Sequence, residues 1–127
     1  MGYVYKNLNP CREITGDCVI RAIAKAMGST WENVYKDLCA EGLKQCDLPN
    51  QNGVWGSYLI KNGFRRYIIQ NTCPSCYTVK HFCYDYPVGE YVLSTGDHAI
   101  AVVNGNYFDI FDSGDETVSF FYQKEVY

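Results

Sequence analysis

Long apolar runs are missing from this 127-residue chain. None approaches the roughly 20 residues that a membrane-crossing helix needs, so a spanning role is excluded and no membrane partner is expected. The opening residues, MGYVYKNLNPCRE, hold no apolar stretch of the signal-peptide kind, which favours a cytoplasmic protein. Met1-Gly2 does not open a myristoylation signal, because Lys6 stands where Ser or Thr is required. Positive charge is sparse: eleven Lys and Arg against fourteen Asp and Glu, for a net charge of -3. Only Arg65 and Arg66 adjoin, so a phosphate-tracking surface, and with it a nucleic-acid partner, is not expected. Repeats and low-complexity linkers are absent, so a single domain over 1-127 is expected. Histidine is scarce, at two residues, His81 and His98. Any imidazole chemistry must use one of them.

What is present suffices for a core. Apolar residues make up 47% of the chain and aromatics 16%, with twelve tyrosines that suit core edges and cleft rims alike. A domain of this length buries about two-thirds of its unfolded surface, so it does not need staples to fold. There are seven cysteines, an odd number. With no export signal, that pattern predicts a reducing compartment, free thiols, and at least one cysteine kept for chemistry or metal.

The apolar spacing predicts a helix over Cys18 to Met27, with Asp17 as N-cap and Gly28 as the stop. Ser29 or Thr30 caps a second helix from Trp31 to about Gly42. Residues 43–52 read as loop, residues 54–63 as a short helix ending in a glycine cap, and 64–70 as strand. Residues 71–75 read as a turn and 77–84 as a fourth helix with Thr78 near its cap. The period then changes to that of strands: 90–95, 98–103, 106–112 and 117–122, with Asn104-Gly105 as a hairpin turn. Residues 1–16 read as an irregular lead-in. Helices followed by an antiparallel sheet make an α+β layout.

A thiol becomes a nucleophile when its pKa is lowered by a helix N-terminus or a nearby imidazolium. Cys18 opens the first predicted helix, in the field of its free N–H groups, and its own N–H suits an oxyanion hole. His98 follows Thr95-Gly96-Asp97 at the start of a strand, on the rim of the sheet. The hairpin places Phe111, Asp112 or Ser113 opposite His98, and residues that face each other across a ladder are within side-chain reach. Asp112, in the middle of that range, is the first choice to orient the imidazole; Asp109, deeper toward the turn, is the second. The candidate triad is Cys18, His98 and Asp112.

An early Cys helix, a His strand and an Asp on the next strand together resemble the papain-like cysteine peptidases. Gly16 to Ala24 resembles the helix start of bacteriocin-processing (double-glycine) transporter peptidases. Gly96 to Val103 with Tyr107 to Gly114 resembles their His-strand-Asp module. The chain is also similar to small cysteine-peptidase-like proteins of phages and gut bacteria. The resemblance implies a papain-like fold, with N-terminal helices packed on a C-terminal antiparallel sheet. It also implies a thiol protease or related hydrolase that needs no cofactor, in the cytoplasm of a bacterium or phage-infected cell. The substrate would be a protein or peptide, attacked at an amide or isopeptide bond, with water or an amine accepting the acyl group. The chain departs from the pattern at two positions. Arg12 stands where those peptidases carry the oxyanion-hole glutamine, and Val19 stands where they carry glycine. Arg12, Asn9 and Thr15 are the nearby replacement donors, with Gln51 and Asn52 farther along. Asp17, Arg12 and Trp55 are the candidate oxyanion and cleft residues. A catalytically degenerate binding protein, such as a phage accessory protein that inhibits a host factor, is the alternative.

Three further features compete for a role. Cys73, Cys76, His81 and Cys83 carry zinc-ligand chemistry at a tight spacing. Cys73-Pro74-Ser75-Cys76 also has the form of a redox dithiol, or of a plain turn with two cysteines at its base. Arg21, one helical turn after Asp17 and Cys18, is read as one half of a structural ion pair with Asp17 or Glu13, or else as facing a substrate carboxylate.

Overall fold

A computed structural model describes residues 2–70 and 73–125. The chain builds a six-stranded mixed sheet and four helices. In chain order these are β1 (Tyr3–Tyr5), α1 (Cys18–Met27), α2 (Trp31–Gln45), α3 (Asn52–Lys61), β2 (Phe64–Ile68), α4 (Val79–Asp85), β3 (Glu90–Ser94), β4 (Ala99–Val103), β5 (Asn106–Asp109) and β6 (Phe120–Lys124). The strand order is β1-β5-β4-β3-β6-β2. All pairs are antiparallel except β1 with β5, which run parallel.

The α+β class holds, but the sheet is not a purely C-terminal antiparallel unit. Its two edge strands, β1 and β2, come from the first two-thirds of the chain. The lead-in is not wholly irregular either, because Tyr3 pairs with Tyr107 and Tyr5 with Asp109. Three residues carry no alternation to read, and the partner lies at the far end of the chain.

Strand alternation sorts the core onto two faces. Val92, Ala99, Ala101 and Tyr122 face α1, α2 and α3, with Ile23, Val34, Leu38, Trp55 and Leu59 opposite. Tyr91, Leu93, Ile100, Val102, Tyr107 and Phe121 face the other way, against Val79, Phe82 and Cys83 of α4. Because both faces are covered, β3 and β4 are apolar nearly throughout. Helix α1 meets β4 through small residues on both sides, Ala22, Ala24 and Ala26 against Ala99 and Ala101, which lets the helix lie close to the sheet. Among the described residues, no helix is long and apolar enough to cross a membrane.

Several boundaries differ from the expected ones. Helix α2 runs past Gly42 to Gln45 and is closed by Cys46 in the left-handed region, φ 56°. Gly42 is needed for a different reason: the chain folds back over it, and a Cβ there would lie 2.7 Å from the carbonyl oxygen of Asp47. Strand β5 ends at Asp109 rather than 112. Strand β6 begins at Phe120; just before it, the Ser119 N–H donates to the Ser94 carbonyl at the end of β3, and the Val118 N–H turns away to the Tyr77 carbonyl. Thr30 does cap α2, accepting from the N–H of Asn33 at 3.1 Å. Part of the turn expected at 71–75 lies outside the described residues.

Candidate functional site

Helix α1 presents Cys18 at its first turn, and the strand after the Gly96 turn presents His98. The two side chains line the same cleft, near enough for each to shift the other's titration. His98 Nε2 meets Asp109 Oδ2 at 2.6 Å. With Nε2 engaged, Nδ1 is the nitrogen left for the thiol.

The carboxylate that meets His98 is therefore Asp109, not Asp112. The hairpin turns tightly, with both Asn104 and Gly105 at positive φ, and pairs Val103 with Asn106, Val102 with Tyr107 and Ala101 with Phe108. Continuing that register puts Phe111 opposite His98, and the two rings stack at 5.1 Å. It leaves Asp109 on the neighbouring diagonal, with the same alternation as His98. Asp112 has the opposite alternation and lies past the strand end. It accepts hydrogen bonds from the Tyr107 hydroxyl and from the N–H of Gly114.

Asp109 is 1% exposed and accepts four hydrogen bonds. Oδ2 takes His98 and the Ser113 hydroxyl, the latter at 2.8 Å; Oδ1 takes the N–H of Ile110 at 2.8 Å and Arg21 Nη1 at 3.2 Å. These donors hold its carboxyl below the ordinary range against the opposing effect of burial.

Arg21 forms the expected pair with Asp17, Nε to Oδ1 at 2.8 Å, and continues to Asp109. Asp17 occupies the N-cap position of α1 without capping it through its side chain. Its Oδ2 instead accepts from Asn9 Nδ2 at 3.1 Å and Trp31 Nε1 at 2.9 Å. Asp17 is thus consumed by buried donors and does not line the cleft. Arg12 is exposed, with a left-handed backbone at φ 55°, and is not a cleft residue.

Burial alone would raise the Cys18 thiol. The hydrogen bond from His98, the Ala99 backbone and the positive charges of His98 and Arg21 outweigh it, and the thiol is lowered. Burial alone would lower His98, but Asp109 and the Cys18 sulfur raise it to about 10. Both shifts favour the same state, a thiolate beside an imidazolium. Cys83 shows the contrast: buried without such partners, its thiol is pushed up to about 11.

The pair opens onto a cleft of about 510 Å³ between the N-termini of α1 and α3. Gly16, Val19 and Trp55 line it, with Gln51, Asn52 and Gly53 at the α3 end and Asp47 and Asp97 at the edge. Trp55 Nε1 donates to Asn52 Oδ1 at 3.1 Å, which directs the Asn52 amide N–H₂ away from the indole. Trp55 is 1% exposed, so its role is both core and cleft wall. Gln51 and Asn52 share the cleft with Cys18; Asn9 and Arg12 do not.

The alternative zinc set does not assemble. Cys73 and Cys76 are joined in a disulfide, their Cα atoms 4.2 Å apart, so the expectation of free thiols fails at this pair. His81 completes a capping box on α4: its Nδ1 accepts from the Thr78 N–H at 3.1 Å, while its own N–H donates to Thr78 Oγ1. Cys83 is packed in the core against the sheet. No group of three or more metal-ligating side chains forms among the described residues.

No family model, no curated protein and no solved structure matches the chain.

Proposed function

We propose that the chain is a papain-like cysteine hydrolase or acyl-transferase, with Cys18 as nucleophile, His98 as acid and base, and Asp109 as the group that orients the imidazole. The observation that carries this reading is His98, hydrogen-bonded to the buried Asp109, sharing a cleft with Cys18, with the thiol lowered and the imidazole raised. The Cys18 thiolate attacks an amide or isopeptide carbonyl, and the carbonyl π pair moves to oxygen. As the tetrahedral adduct collapses, the His98 proton passes to the departing amine and an acyl-thioester remains. Water or a second amine, deprotonated by His98, attacks the thioester and expels the thiolate. The N–H of Cys18 and the Asn52 amide are the oxyanion donors that the cleft offers. A protein or peptide substrate fits this chemistry, and a cytoplasmic setting fits the composition.

A second reading is a binding protein on the same architecture that blocks a host factor. The outward Arg12 favours it, since none of Asn9, Arg12 and Thr15 lines the cleft with Cys18.

The two are separated by iodoacetamide labelling of the folded protein across pH, with each cysteine read by mass spectrometry, in wild type and His98→Ala. The hydrolase reading expects Cys18 to label first, well below pH 8, and to slow in the variant. An inert Cys18, or one indifferent to His98, leaves the binding reading.

A further inference from the structure

The buried charges around the nucleophile form a closed circuit. Asp17 is bonded to Arg21, Arg21 to Asp109 and Asp109 to His98; His98 shares the cleft with Cys18, and Cys18 follows Asp17 in the chain. Signs alternate from Asp17 round to Cys18, and the chain link between those two closes the circuit with two anions side by side. Asp17, Arg21 and Asp109 are 5%, 7% and 1% exposed, so none of the three can exchange its partners for water.

We propose that Arg21 is a positioning residue for the Cys18–His98 pair: it clamps one oxygen of Asp109 so that the other meets the imidazole, and Asp17 sets the clamp. The inference rests on the reading of Cys18 and His98 given above. An ion pair that only fastened α1 to β5 would need a single carboxylate. Here the planar guanidinium divides its fork, Nε to Asp17 Oδ1 and Nη1 to Asp109 Oδ1. Its orientation is fixed at the Asp17 end, where Asn9 and Trp31 hold the other carboxylate oxygen. An ammonium is a point charge without this fork, so it reaches one carboxylate well or both poorly.

The test is the pH profile of Cys18 alkylation by iodoacetamide in the full chain, for Asp17→Asn and Arg21→Lys, with circular dichroism to establish folding. Both variants separate positioning from charge. Asp17→Asn removes an anion beside the thiolate, so a purely Coulombic role lowers the labelling midpoint. Loss of the clamp raises it, by about half a pH unit or more, which is about threefold in rate on the acid limb. Arg21→Lys keeps the charge, so a Coulombic role leaves the midpoint at the wild-type value, whereas loss of the fork raises it. Trp31→Phe removes one Asp17 donor without touching a charge and carries the same expectation in smaller measure if the charged variants do not fold. Folded variants with an unmoved or lowered midpoint overturn the inference alone. A wild-type Cys18 that titrates like an ordinary thiol overturns the underlying reading before any variant is compared.

Discussion

Replacing Asp109 by Asn tests the site most severely, because every partner of that side chain is a donor. His98 and Ser113 converge on Oδ2, and Arg21 and the N–H of Ile110 on Oδ1. An asparagine has one oxygen, so its N–H₂ must face one of these pairs. Arg21 and a backbone N–H cannot accept. The Ser113 hydroxyl can rotate, and His98 can accept once it gives up its Nε2 proton. The amide therefore turns its N–H₂ to His98, whose remaining proton then sits on Nδ1, the nitrogen that faces sulfur. A neutral imidazole in that tautomer cannot take the thiol proton. The lost ion pair is worth about 4 kcal/mol for unit charges some 4 Å apart at an effective dielectric near 20, or roughly 3 pH units on His98. Without the imidazolium, Cys18 returns to an ordinary thiol or above. At pH 7 the thiolate then falls to a few per cent, and iodoacetamide labelling of Cys18 drops about 30- to 100-fold. Alkylation rates from pH 5 to 10 measure this, and imidazole ¹⁵N shifts report the tautomer. Asp112→Asn is the control, expected to leave the Cys18 profile unchanged. A midpoint that moves less in Asp109→Asn than in Asp112→Asn would refute the assignment.

The pH dependence of folding stability carries a second test. His98 is raised, so its contribution is complete below its ordinary 6.5 and is lost as pH rises through about 10. Cys18 is lowered, so its contribution is complete above its ordinary 9.0 and is lost as pH falls through its folded value. Above both 6.5 and the folded Cys18 value, and up to about 9, the two slopes cancel, because the ion pair binds one proton and so does the unfolded pair. Urea unfolding of the wild type should give a flat stability over that window. In Cys18→Ala, stability should fall with rising pH, because Asp109 still raises His98; parallel curves for the two proteins would count against the ion pair. Packing of α3 on β6 supplies a third. A Cβ on Gly56 would overlap the Tyr122 hydroxyl, and Tyr122 is buried at 3% exposure. Gly56→Ala should cost about 1–3 kcal/mol and lower Tm by several degrees. An unchanged melt would mean that this contact yields freely.

The parts of the fold set by local chemistry were readable from the residues. Cys18–Met27 with Gly28 in the left-handed region, Thr30 as a cap and the Asn104-Gly105 hairpin all follow from spacing and turn residues. Cys18 and His98 were legible because a helix start and a strand start each advertise themselves. The carboxylate was legible only to a choice of two, since a shift of one residue exchanges the faces of a strand. The turn chemistry of residues 104–105 bounds the register without fixing where β5 ends. Asp17 looked like a cap because its position is that of a cap. What removes it from capping is Trp31, Asn9 and Arg21, two of which lie well outside its own helix turn. Strand β1 was illegible because its hydrogen-bonding partner is at the opposite end of the chain. His81 and Cys83 looked like ligands by type, but one is held by the backbone of its own helix start and the other by the core.

Strand β1 also has a consequence for the order of events during synthesis. The Lys6 N–H and the Tyr3 hydroxyl both donate to the carbonyl of Asp109, so the residue that meets the imidazole is itself held by a segment made long before it. Cys18 leaves the ribosome long before His98, and until the last strands dock it has neither imidazole nor buried carboxylate nearby. A sheet that joins β1 to β5 across such a sequence separation forms that contact late. A product truncated before His98 would therefore carry Cys18 without the imidazole that lowers its thiol.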